Sequence, residues 1–140
     1  MKFIFPHSPE LNELALTVIR IGVGALFIGH GALKFIRGKE ELLWTGQQMA
    51  NLGITFAPLF WGLCAALAEL GGGLFLTLGL FTRIAAFFLS FTMFVAITYH
   101  LKNGDSYGYV SFPLSQLVVF IGFMIAGASK YSLDKYFFGK

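Results

Sequence analysis

Four apolar runs set the rhythm of this chain, at about residues 14–36, 56–80, 83–101 and 111–128, each separated from the next by polar or turn-forming residues. A helix needs ~20 mostly apolar residues to cross a bilayer, so the pattern predicts four membrane-spanning helices. Thr55 is a candidate cap for the second, with Pro58 tolerated in its first turn and Gly79 helping to end it. The third follows Thr82 and Arg83 and stops at the turn-forming pair Asn103-Gly104. The fourth is expected to carry Pro113 in its first turn.

Only a few residues link the second and third runs, which makes those helices antiparallel neighbours in an up-down bundle. The first link, residues 37–55, mixes Leu42, Leu43, Trp44 and Met49 with Glu40, Glu41, Gln47 and Gln48. It reads as a short interfacial helix between helices 1 and 2, with Trp44 at the headgroup level. The expected fold is therefore all-α, one four-helix integral membrane domain over residues 1–140.

Composition sharpens this picture. Of 140 residues, 56% are hydrophobic and only 12% charged, against about a quarter charged in soluble domains. With a mean hydropathy of +0.74, too little polar surface remains to cover a water-soluble enzyme with its own cofactor domain. The net charge of +3 comes from residues at the borders of the apolar runs, which favours membrane anchoring over nucleic-acid binding. Residues 1–13 lack the short apolar core and small-residue cleavage site of a signal peptide.

Four spans put both termini and the link between the second and third helices on one side. That side carries Lys2, Arg20, Arg83, Lys130, Lys135 and Lys140, six cations, against four on the other, Lys34, Arg37, Lys39 and Lys102. The positive-inside rule then favours cytoplasmic termini. A single cysteine, Cys64, with no Cys-x-x-Cys pair, excludes dithiol chemistry within the chain and reads as inert packing.

The candidate chemistry lies in polar residues inside the apolar runs. Glu69 is about eleven residues from the cytoplasmic end of the second helix, ~16 Å deep at ~1.5 Å per residue. A carboxylate at that depth should face inward and be protonated, paired or both, serving either a ligand or proton, or a helix-helix hydrogen bond. His30, ten residues from Arg20 on the first helix, reaches a similar depth of ~15 Å, so a contact between His30 and Glu69 is geometrically open. The alternative is that Arg20 and Lys34 snorkel to the two interfaces while His30 bonds a neighbouring carbonyl. His100 and Gln116 fall in the outer half and could line one cavity with Lys34, while Tyr99 reads as an interfacial anchor. Three histidines without ligand spacing give no metal site. Gly22, Ala25 and Gly29 on the first helix, and Ala65, Ala68 and Gly71-Gly72-Gly73 on the second, are the expected places of close helix contact.

The run Ala68-Glu69-Leu70-Gly71-Gly72-Gly73-Leu74-Phe75, leading into Leu78-Gly79-Leu80-Phe81-Thr82-Arg83, closely resembles the central signature of the DoxX family of small four-helix membrane proteins. His30-Gly31-Ala32-Leu33-Lys34-Phe35 is similar to that family's motif at the end of the first helix, and Leu52-Gly53-Ile54 to its segment before the second. Residues 127–134, ending Tyr-Ser-Leu-Asp, resemble its C-terminal close; Thr55 departs from the proline often found there. The resemblance covers about residues 14–136. It implies the four-helix fold in a bacterial cytoplasmic membrane, and it marks His30, Lys34, Glu69, Arg83 and the glycines after Glu69 as matching positions. Arg83, in a tight turn, is read most simply as a topology determinant. The family's namesakes are linked to a thiosulfate:quinone oxidoreductase, and relatives to quinone or catechol resistance and oxidative-stress complexes.

Three functions fit these readings. In the first, Glu69 and His30 contact a quinone or similar lipophilic aromatic molecule inside the bundle, with Lys34, His100 and Gln116 as further ligand-binding residues. The chain has no haem, flavin, iron-sulfur or metal motif, so electrons would come from a partner oxidoreductase subunit or a diffusible donor. The second is a proton-linked exporter of toxic hydrophobic compounds, which four helices would support best as a homodimer. The third is a membrane scaffold or assembly partner for soluble oxidoreductases.

Overall fold

The computed structural model describes residues 8–139. Lys2, Lys140 and His7, together with the rest of the first seven residues, lie outside that range. The elements in order are α1 (Pro9–Arg37), α2 (Lys39–Gln47), a 3₁₀ turn (Gln48–Leu52), α3 (Pro58–Leu78), α4 (Thr82–Asn103), α5 (Tyr107–Ala126) and α6 (Leu133–Phe138). Four of them, α1, α3, α4 and α5, are long and apolar enough to cross a membrane. Large apolar side chains such as Val18, Ile36 and Ile125 point outward along them, as a lipid-facing surface requires.

Local chemistry moves several boundaries from their expected places. Pro9 opens α1 ahead of the apolar run, because a proline at the first position has no N–H to leave unpaired and Glu10 follows in the positive first turn. Thr55 does not cap α3: Pro58 takes its first position, and Ala57 precedes it in the left-handed conformation at φ 52°. The fourth span begins at Tyr107 behind Ser106, so Pro113 sits inside α5 and not in its first turn. Its missing N–H frees the carbonyl of Tyr109, one turn back. Gly79 closes α3 at φ 66° as expected, donating to Leu76 O at 3.1 Å.

The bundle is held by backbone contact between α1 and α3. A Cβ on Gly24 would lie 2.8 Å from Gly73 O, one on Gly31 2.3 Å from Leu70 N, and one on Gly73 2.7 Å from Ile28 N. These are the glycines that touch. Gly22, Gly29 and Gly71, expected at contacts, have nothing within 4 Å of a built Cβ. Around this seam Phe27, Leu76, Ala86, Leu89, Met93, Phe120 and Phe123 form the buried core, which lies in the half of the bundle bearing the α3–α4 turn.

That half is also bound by the C-terminal segment. Arg20, expected to snorkel, is 1% exposed and donates to Leu76 O at 2.7 Å, Thr77 O at 2.8 Å and Tyr131 O at 2.7 Å. The last carbonyls of α3 have no helical partner, and a guanidinium satisfies them while facing the negative end of the helix dipole. Asp134 accepts from Phe81 N at 2.7 Å and Thr82 N at 3.0 Å, at the start of α4, and its own N–H donates to Gly79 O at 2.8 Å. Thr17 meets Ser129 at 2.6 Å, and the Glu13 carboxylate accepts from Lys130 N at 2.5 Å. Arg83, exposed at the start of α4, donates to Ile125 O at the end of α5 at 3.2 Å. The signature around Gly79 to Arg83 and the Tyr-Ser-Leu-Asp close are thus two sides of one clasp.

At the opposite end, the short helix between the first two spans is present, but it packs into the bundle. A Cβ on Gly46 would lie 2.7 Å from Gly62 N, and one on Gly62 1.8 Å from Leu42 O, so α2 rests on the backbone of α3. Leu42 and Met49 are buried, and Lys102 of α4 donates to Asn51 O in the 3₁₀ turn.

Candidate functional site

Beneath α2 the four spans separate around a cavity of about 590 Å³, within the range of small-molecule sites. Its walls are mainly aromatic and aliphatic: Trp44, Trp61, Phe88, Phe91, Tyr99, Tyr109 and Phe112, with Ala65 and Ala68. The polar residues among its walls include Lys34, Glu69, His30 and His100.

Glu69 is 6% exposed and lies eleven residues after Pro58 and nine before Leu78, ~14–16 Å along the axis from either end of α3. Its partner is Lys34, with Nζ 2.5 Å from Oε2, and not His30. The close approach of Gly31 to Leu70 explains the choice. It sets the α1 turn containing Lys34 beside Glu69, and a lysine side chain spans the remaining gap. A carboxylate and an ammonium in a mostly apolar site attract far more strongly than in water, and each removes the other's unpaired charge.

His30 lines the same cavity, its ring 5.7 Å from Phe27 and 5.7 Å from Phe112 between centroids. It therefore spans the gap between α1 and α5. His100 Nδ1 lies 2.7 Å from Asp105 Oδ2, and Asn103 Nδ2 donates to Asp105 Oδ1 at 2.7 Å. These hydrogen bonds, the one from His100 first, hold the Asp105 carboxyl below its ordinary value of 3.8. With Nδ1 donating to the carboxylate, Nε2 is the His100 nitrogen left for a ligand. The His100 ring stacks on Tyr109 at 6.0 Å and meets Tyr99 edge-on at 5.2 Å. Tyr99 in turn packs edge-on against Trp44 at 5.7 Å, so both expected interface anchors are cavity walls.

Two residues fall elsewhere than expected. Gln116 does not line the cavity, and its Oε1 is buried without a protein partner. Cys64 is exposed at the cavity rim, not packed in the interior. Sequence reasoning missed Asp105, Trp61 and Thr45. Asp105 had a signal, a carboxylate five residues from His100 across an Asn-Gly turn; the other two had none beyond residue type. Among the described residues, no three His, Cys, Asp or Glu side chains gather as a metal site would need.

The DoxX family model matches residues 15–101, which include α2, α3, most of α1 and nearly all of α4. An uncharacterized protein of Haemophilus influenzae is 34% identical over 133 residues, covering 89% of this chain and 92% of the relative. The Escherichia coli protein named "Inner membrane protein YqjF" is 30% identical, covering 90% of this chain and 94% of its own length. A Bacillus subtilis protein named "Putative oxidoreductase CatD" is 28% identical, with 90% and 89% covered. No solved structure matches the chain significantly.

Proposed function

This chain belongs to the DoxX family, and on that premise we propose that it binds a quinone or similar lipophilic aromatic molecule in the cavity as part of a membrane redox process. The observation that carries the reading is the Lys34–Glu69 pair set at mid-depth in an aromatic-walled cavity. Flat rings favour aromatic walls, and an oxygen on such a ring can accept from Lys34 Nζ or from a ring N–H of His30. A quinone supplies the electron-accepting chemistry; the chain binds it, excludes water and holds a proton at Glu69 or Lys34. The printed name of the Bacillus subtilis relative supports a redox association. Electrons come from a partner oxidoreductase subunit or a diffusible donor. That of the Escherichia coli relative, with the distribution of Lys and Arg, supports a bacterial cytoplasmic membrane with the termini inside.

Gentle purification in detergent, followed by solvent extraction and mass spectrometry, tests this directly. Wild type should retain a quinone near one per chain, or bind added decylubiquinone, and Glu69→Gln and Lys34→Met should each weaken binding about tenfold, the loss of one charge-assisted hydrogen bond. A wild-type protein that neither retains a quinone nor binds decylubiquinone would overturn the reading and leave the exporter and scaffold to be tried by proteoliposome flux and partner capture.

A further inference from the structure

The chain turns at Gly104, φ 72°, as α4 ends, and the turn brings Asp105 back onto His100, with Asp105 N donating to His100 O at 3.0 Å. The side chains then pair, His100 Nδ1 lying 2.7 Å from Asp105 Oδ2, while Asn103 Nδ2 occupies Oδ1 at 2.7 Å. The hydrogen bonds from His100 and then Asn103 favour the ionised carboxyl. An ionised carboxylate accepts hydrogen bonds and cannot donate one, so the hydrogen of the pair sits on Nδ1. In the neutral ring the other nitrogen, Nε2, is then an acceptor with a free lone pair.

The position of the ring turns that lone pair to use. His100 is a wall of the cavity and Asp105 is not, so Nδ1 points out of the cavity and Nε2, across the ring, points back towards it. Among the described residues, the side-chain hydrogen bond of His100 runs through Nδ1, and Nε2 is not one of the side-chain atoms sealed in without a partner. It is unengaged and open. Tyr109, stacked at 6.0 Å, and Tyr99, edge-on at 5.2 Å, hold the ring in this direction. His100 and Tyr109 stand on the α4–α5 side, whereas the Lys34–Glu69 pair joins α1 to α3. A lysine only donates, so the cavity offers a donor on one wall and an acceptor on the other.

We infer that His100 Nε2 accepts a hydrogen bond from a ligand hydroxyl, so that the cavity favours the reduced, hydroxyl-bearing form of the ring, a hydroquinone, over the carbonyl form. The inference rests on the ring-binding reading above and narrows it to a redox state of the ligand. A carbonyl oxygen is served by Lys34 Nζ, but at His100 it would meet a second lone pair. A hydroxyl oxygen still accepts from Lys34, and a hydroxyl hydrogen donates to Nε2. Asp105 is a positioning residue in this scheme. It touches no ligand and acts by fixing which nitrogen of His100 carries the hydrogen.

The test uses the full chain in nanodiscs, with decylubiquinone and, kept reduced without oxygen, decylubiquinol as the probes. The chain has three histidines, so ¹⁵N-histidine labelling gives three sets of ring signals, and His100→Phe identifies one by its loss. At a pH where that signal shows a neutral ring, Nε2 should appear as the nitrogen without hydrogen, move upfield as decylubiquinol is added, and stay nearly still with decylubiquinone. His100→Phe should weaken decylubiquinol roughly three- to tenfold, the usual worth of one hydrogen bond, and leave decylubiquinone almost unaffected. Asp105→Ala should shift the ring towards the other tautomer, a change that a merely structural role for Asp105 would not produce. A neutral wild-type ring with its hydrogen on Nε2, or an Nε2 signal that stays still as decylubiquinol binds or moves equally with both probes, overturns the acceptor role while leaving ring binding intact. No binding of either probe to wild type overturns both readings at once.

Discussion

The two halves of this bundle are built from the same four helices and solve opposite problems. In the half bearing the α3–α4 turn, Phe27, Leu76, Leu89, Phe120 and Phe123 fill the interior, and Arg20 and Asp134 bind the α3–α4 turn to the C-terminal segment. In the half under α2, aromatic side chains line a cavity, and Lys34, Glu69, His30 and His100 meet there. The difference teaches how a four-span protein can keep an interior open. Packing against lipid offers little hydrophobic gain, so the closed half must supply the rigidity through backbone contacts and hydrogen bonds, and the open half borrows it.

Arg20→Ala is the largest expected break. It strips three carbonyls of a charged donor in a buried site and should lower the unfolding free energy in detergent by about 4 kcal/mol. A cost below about 1 kcal/mol would show that the clasp does not stabilise the closed half. Gly31→Ala comes next. Its Cβ would strike the Leu70 backbone at 2.3 Å, which cannot yield as a side-chain tip can, so a loss of about 2 kcal/mol is expected. Gly29→Ala, two residues away with nothing within 4 Å, should be neutral or slightly stabilising. Equal effects of the two substitutions would refute the α1–α3 seam.

Those glycines show where the sequence stops speaking. Gly22 and Gly29 are seven residues apart, as are Gly24 and Gly31, so heptad spacing marks both faces of α1 equally. Only rotation of α1 against α3 selects the second pair. The four spans were legible because length and hydropathy alone decide them, and the extra helix after the first showed in its mixture of apolar and polar residues. The early start of α5 was not, since Tyr107, Gly108 and Tyr109 read as loop until Ser106 is seen to precede a continuous helix. Depth along a helix placed Glu69 correctly at mid-span yet misdirected its pairing, because axial rise ignores side-chain reach: His30 matches in depth, but Lys34 reaches. Arg20 was misjudged for a related reason. Snorkelling is the solution for a lone cation near an interface, whereas this one faces the carbonyls of Leu76 and Thr77 that end α3.

A smaller effect sharpens the description of the clasp. Asp134 accepts from Phe81 and Thr82 N–H groups at the start of α4, the role a capping side chain usually takes from within its own helix. Asp134→Ala should cost about 1 kcal/mol, as loss of a cap does, and Asp134→Asn less, since an amide oxygen still accepts. Hydrogen exchange at the first amides of α4 would localise the change, and exchange elsewhere in α4 should be unaltered.

The smallest effect belongs to the open half, at Asp105. Its carboxyl is held below the ordinary value by the hydrogen bonds from His100 and Asn103, so the contribution to stability is present above the unfolded value, about 3.8, and is lost as pH falls through the lower folded value. Asp105→Asn should therefore lower the unfolding midpoint slightly near neutral pH, where the contribution is present in the wild type, and remove one component of its fall below about pH 4. The informative quantity is the wild-type midpoint minus the variant midpoint across an acid titration, because every other carboxylate is common to both. A difference that shrinks towards zero in acid fits the pair as drawn. One that grows in acid would mean that the carboxyl binds its proton more tightly in the fold, and that the turn after α4 does not hold His100 through an ionised Asp105.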